Sequence, residues 1–120
     1  MSASPKKQRA EQQGRDAEQI AAEFLRREGD EILAHRVRNE AGEIDLIAKK
    51  SALIAFVEVK WRKRAADLDT AIDERRLARV AAAAEIAAYD YAKHGEDIRI
   101  DVILLAPGTP PRHITNAWMP

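Results

Sequence analysis

From Ala17 onward the apolar residues Ala17, Ile20, Ala21, Phe24 and Leu25 recur at the three-four spacing of an amphipathic helix, and Gly29 is placed to close it. The segment before it, MSASPKKQRAEQQGR, is polar and has no apolar period, so residues 1–11 are expected as a flexible tail, with helix starting near Gln12. Residues 31–38 alternate loosely and read as a first strand, followed by turn residues at 39–42. Residues 43–49 alternate again, with Ile44, Leu46 and Ala48 on one side and Glu43, Asp45 and Ile47 on the other. Residues 53–61 are apolar on both sides until Glu58, the pattern of a strand buried in the middle of a sheet. A long helix over 67–93 is expected next, opened by a Thr70-to-Asp73 capping box and stopped by Gly95. Its alanines at 81–84 suit close packing against a sheet, although a helix-to-helix homodimer would use the same small residues. Residues 98–105 form another buried strand, and 112–118 a last edge strand.

The order α-β-β-β-α-β-β, with the long helix as a parallel crossover, predicts an α/β fold with a mixed sheet flanked by helices. At 120 residues the chain is expected to form a single domain over 12–120, and without cysteine it owes nothing to disulfides. Its longest apolar run, residues 52–57, is far short of a membrane span, and no apolar segment near the start resembles a secretory signal. A cytoplasmic protein with no membrane partner is expected.

Twenty basic and 20 acidic side chains cancel, yet they are unevenly placed. Six acids fall within 16–31, while Lys60, Arg62, Lys63 and Arg64 crowd one segment and Arg75, Arg76 and Arg79 follow. Such segregation permits a basic face able to bind a phosphate backbone, and equally a scatter of solvated charges.

The feature that needs a chemical explanation is Glu58-Val59-Lys60 at the end of an apolar strand, where a lone carboxylate is costly without a partner. Residues two apart share a strand face, so Glu58 points with Lys60 and Glu43 with Asp45. A short hairpin makes the two strands neighbours and brings Asp45 and Glu58 within reach of one cation. Two carboxylates with a main-chain carbonyl and water are the oxygen donors magnesium prefers. The same residues also allow a plain ion pair of Lys60 with Glu58 or Asp45 at the sheet rim. Trp61, on the other face from Lys60, is assigned to packing, and Arg62 to a phosphate contact. His35, His94 and His113 have no ligand spacing and are placed at the surface or strand ends.

An acid, a hairpin and Glu-x-Lys between a helix and a crossover helix resemble the core of the PD-(D/E)xK nuclease superfamily, which includes restriction endonucleases and archaeal Holliday junction resolvases. More specifically, residues 42–48, GEIDLIA, and 56–62, FVEVKWR, resemble the two signature segments of the YraN family. Gly14 with Ala17, Glu18 and Ala21 is similar to that family's opening helix, Arg36 and Arg38 to its first strand, and residues 100–102 to its later strand. The chain departs after Arg62, where the family has a glycine-containing loop and a lysine early in the next helix. Here KRAADLDTA lacks the glycine, and Glu74, Arg75 and Arg76 stand near the lysine's place.

The resemblance implies a restriction-endonuclease-like fold and a magnesium-dependent nuclease, manganese substituting, that hydrolyses phosphodiester bonds in branched or single-stranded DNA. It implies Asp45 and Glu58 as metal ligands, Glu18 as a further ligand from the opening helix, and Lys60 orienting the attacking water. Asp45, Glu58 and Lys60 form the expected catalytic set, with Glu43 as an accessory acid. Arg62, Lys63, Arg64, Arg75 and Arg76 are the expected nucleic-acid contacts. Two other classes stay open: a non-catalytic nucleic-acid-binding domain, and an interaction module that self-associates through the alanine-rich helix.

Overall fold

Helix α1 spans Pro5–Arg27 in the computed structural model, which describes residues 5–118. It starts well before Gln12, and side-chain bonds one turn apart, from Gln12 to Asp16 and from Arg15 to Gln12, support the exposed turn that follows. Of the expected tail, residues 5–11 are helical, and residues 1–4 lie outside the described residues. The C-terminus closes as anticipated: Gly29 takes φ +98, and the Asp30 N–H donates back to the Leu25 carbonyl at 2.9 Å, the bond of a Schellman cap.

Strands β1 (Glu31–Asn39), β2 (Gly42–Lys50) and β3 (Leu53–Trp61) form an antiparallel meander. A 3-10 turn at Ala65–Thr70 and helix α2 (Glu74–Tyr91) return the chain so that β4 (Asp97–Leu105) lies parallel to β3, with β5 (Arg112–Ile114) antiparallel at the edge. The spatial order β1-β2-β3-β4-β5 is the mixed sheet expected, with β3 and β4 the parallel pair.

Two further boundaries differ from the sequence reading, the start of α2 and the end of the last strand. Leu68, almost fully buried, anchors the 3-10 turn, so helix does not run from residue 67. Asp73 caps α2 in place of the expected Thr70 box, accepting from the Arg75 and Arg76 N–H groups. The last strand stops at Ile114 because Asn116 turns at φ +53 and the Ala117 N–H bonds to the Ile100 carbonyl.

The sheet is covered on both sides. Ile44, Ile47, Phe56, Val102 and Leu104 pack with Leu77, Val80, Ala83, Ala84 and Ala87 of α2, and Leu46, Val57 and Ile103 pack with Ala17, Ala21 and Leu25 of α1. The alanines of α2 thus press on the sheet. Ala83→Leu, which forces an isobutyl group into a fully buried position, should cost about 1 to 3 kcal/mol through overpacking, read as a lower urea midpoint.

Candidate active site

The site is made where the strands stop pairing. The β2–β3 ladder runs from Lys50 opposite Leu53 to Leu46 opposite Val57 and goes no further. Beyond it the Asp45 Oδ2 accepts the Val59 N–H at 2.8 Å, so the side chain takes a hydrogen bond the ladder would otherwise supply. The backbone of β1 is irregular at the same level, since Arg36 sits at φ +52, although the register is kept from Val37 opposite Ile44 to His35 opposite Leu46 and shifts only between Ala34 and Ile32. The alternation of β2 breaks there. Ile44 packs on the α2 side, with Ile47, rather than with Leu46 and Ala48 as the simple pattern required. The break leaves Asp45 at the opened seam.

A cleft of about 350 Å³ occupies this seam, lined by Gln13, Gly14 and Glu18 from α1, Glu43 and Asp45 from β2, residues 58–62 of and after β3, and Arg76 from α2. Of the residues expected to act chemically, Glu18, Glu43, Asp45, Glu58, Lys60, Arg62 and Arg76 therefore meet at one place. Lys63, Arg64 and Arg75 are exposed outside its lining, and Arg64 is engaged with Asp67 at 3.2 Å. Trp61 packs in the α1-side core as assigned, and it also lines the cleft together with Lys60, which was not expected of it.

Each acid is held differently. Glu58 is 2% exposed; its Oε1 accepts from Arg76 Nε at 2.6 Å and lies 3.5 Å from Lys60 Nζ, while its Oε2 is buried with no hydrogen-bond partner. The ion pair anticipated as an alternative is present, between Lys60 and Glu58. Glu18 accepts from Arg36 Nε at 2.8 Å, and Glu43 from Arg38 Nε. Asp45 has the least favourable setting: burial, and then the negative charge of Glu58, push its carboxyl up to about 7, against the lowering effect of the Val59 N–H.

These donors fit a hard divalent cation in kind. Asp45 and Glu58 are carboxylates on facing strands, one oxygen of Glu58 is buried and unsatisfied, and the neighbourhood disfavours two bare negative charges. Among the described residues no group of three His, Cys, Asp or Glu side chains is gathered as a ready-made metal cage, so the fit rests on the pair completed by main-chain and water oxygens.

Two interactions escaped sequence reading: Arg36 on Glu18 and Arg76 on Glu58, each joining residues 18 apart on different elements. The arginine-rich start of α2 was the one available signal. His113, expected at the surface or a strand end, lies half-buried in the three-residue β5, and its Nε2 stands 2.8 Å from Asp101 Oδ2, a contact the sequence did not signal.

Among the described residues no helix is long and apolar enough to cross a membrane. The sequence profile described as "Uncharacterised protein family UPF0102" matches residues 17–105. Similar chains include a UPF0102 protein of Erythrobacter litoralis (strain HTCC2594), 66% identical over 96% of this chain and 99% of its own length. Others are UPF0102 proteins of Sphingopyxis alaskensis, 55% identical over 92% of this chain and 96% of the relative, and of Rhizorhabdus wittichii, 53% identical over 91% and 92%.

Proposed function

We propose that this chain, which belongs to the uncharacterised protein family UPF0102, is a divalent-metal-dependent nuclease of PD-(D/E)xK type that hydrolyses phosphodiester bonds in DNA. The observation that carries the reading is the meeting of Asp45, Glu58 and Lys60 in one cleft, with a buried Glu58 oxygen lacking any partner. A structural ion pair alone would satisfy Glu58 and give Asp45 no reason to be buried beside it.

Asp45 and Glu58 would hold the cation, which when bound supplies Lewis-acid neutralisation of the phosphodiester's charge. Everything else falls to the chain's own groups. Lys60, fixed by packing and by its approach to Glu58, offers an ammonium to orient the attacking water and offset charge at the phosphate. Arg62 stands at the same wall with its Nη1 donating to the Trp61 carbonyl, and its remaining donors suit a phosphate of the backbone. Glu18, engaged by Arg36, is a further acid at the α1 side.

Cleavage of labelled four-way, flapped and single-stranded DNA should appear with magnesium or manganese, vanish with chelator, and fall by about a hundredfold or more in Lys60→Ala. Binding should weaken steeply with salt, and neutralising Arg62 with Arg64 should weaken all sequences alike. The double cation on Glu58 favours a second reading, a nucleic-acid-binding domain without turnover. Salt-dependent binding with no cleavage and no manganese uptake would establish that rival.

A further inference from the structure

Glu58 carries two cations on one oxygen and none on the other. The cations are not equivalent. Lys60 comes from the same strand, at 3.5 Å, and its side chain is 19% exposed; Arg76 reaches across from the first turn of α2, at 2.6 Å, and its side chain is 40% exposed at the cleft wall. We propose that Arg76 is a removable counter-ion, which neutralises Glu58 in the metal-free protein and passes its guanidinium to a backbone phosphate of the nucleic acid when a divalent cation binds the same carboxylate.

The inference rests on the nuclease reading of this cleft and assigns one residue a task within it. A divalent cation arriving on the free Glu58 Oε2 would stand beside a guanidinium held 2.6 Å from Oε1 of the same carboxylate, and the two repel. That repulsion favours release of one of the two counter-ions on Oε1. Lys60 is the more enclosed group and so the costlier to displace, whereas Arg76 already has a large solvated fraction and three rotatable carbons between its backbone and guanidinium. Released from Glu58 it stays on the wall it shares with Arg62, where a planar fork of donors suits a phosphate. Exchange of this kind keeps a buried acid compensated in both states and makes metal and DNA binding mutually supportive.

A bracing role for Arg76 predicts the opposite sign for metal binding, since loss of a brace loosens Glu58 and weakens the cation. Calorimetric titration of Mn2+ into protein without nucleic acid separates the two. Arg76→Gln should bind Mn2+ about tenfold more tightly than wild type, and Arg76→Lys, which keeps the charge on a shorter reach, about threefold. Fluorescence anisotropy with labelled four-way DNA in Ca2+ should show Arg76→Gln binding about tenfold more weakly. If wild type takes up Mn2+ and Arg76→Gln binds it equally or less well, the counter-ion role is overturned while the metal site stands. Uptake by neither protein overturns the metal site itself, and this inference with it. Should the glutamine variant fail to fold, the lysine variant decides: Mn2+ affinity unchanged or lower refutes the exchange.

Discussion

Asp45→Asn is expected to raise the thermal midpoint of the metal-free protein by about 10 °C at pH 8 and to leave it nearly unchanged at pH 4. The carboxyl sits at about 7 in the folded chain, against 3.8 when unfolded. Its folded form therefore holds the proton more tightly, and its contribution to stability is fully present below about pH 4 and is lost as pH rises to about 7. At pH 8 the folded chain carries Asp45 ionised beside Glu58 in a buried seam, at a cost of roughly 2 to 4 kcal/mol. Asparagine resembles the protonated acid. It keeps an oxygen for the Val59 N–H and has an amide to turn toward Glu58, so it retains the bond and loses the repulsion.

Manganese should stabilise wild type at pH 8 and do little for Asp45→Asn, because the charge that opposes folding is the charge that holds the cation. Cleavage should be lost in the variant while DNA binding persists or strengthens. Paired melts across pH 4 to 8, with chelator and with manganese, read all of this at once. A variant that melts lower than wild type at pH 8 would show that Asp45 is structurally compensated and would remove the main electrostatic argument for a metal there.

The parts of this cleft that were legible in the sequence are those set by short-range rules. Alternation placed Glu58 and Lys60 at the end of a buried strand, and the two-residue connection between β2 and β3 made Asp45 their neighbour. What could not be read is where alternation fails. A regular β2 would have put Ile44 with Leu46; the break falls at Asp45, level with an Arg36 in left-handed conformation, where no glycine or proline marks it in the sequence. The arginine partners of Glu18 and Glu58 were equally hidden, since each pairing follows from helix docking rather than from spacing. The start of α2 was missed for a local reason. Asp73 accepts two backbone N–H groups and outcompetes Thr70, whose hydroxyl bonds back to the Asp67 carbonyl in the 3-10 turn.

The opposite pH behaviour is expected of Asp101, which follows Asp97 and Arg99 in the polar half of β4. It is fully buried in β4, yet its oxygens accept from Arg99 Nε and Nη2 at 2.7 and 2.8 Å, from His113 Nε2 at 2.8 Å, and from the Asn116 N–H at 3.0 Å. Burial alone would push the carboxyl up; the bonds from His113, Arg99 and Asn116 more than offset it and hold it below the ordinary carboxylate range. Its stabilising effect is therefore present above about pH 4 and lost as pH falls through the lowered value. The carboxylate also does what the short β5 ladder cannot, tying the three-residue strand and the turn after it to the sheet. Asp101→Asn removes the charge and points an amide at groups that are themselves donors, so it should cost about 3 kcal/mol or more at pH 7 and progressively less toward pH 3. Urea denaturation at both pH values measures it. Because Asp101 lies outside the Asp45–Glu58 cleft, the Mn2+ affinity of the folded variant should match wild type. A loss of Mn2+ binding alongside a small stability change would mean that Asp101 acts on the cleft through the β3–β4 ladder, where it stands opposite Val57, the residue before Glu58.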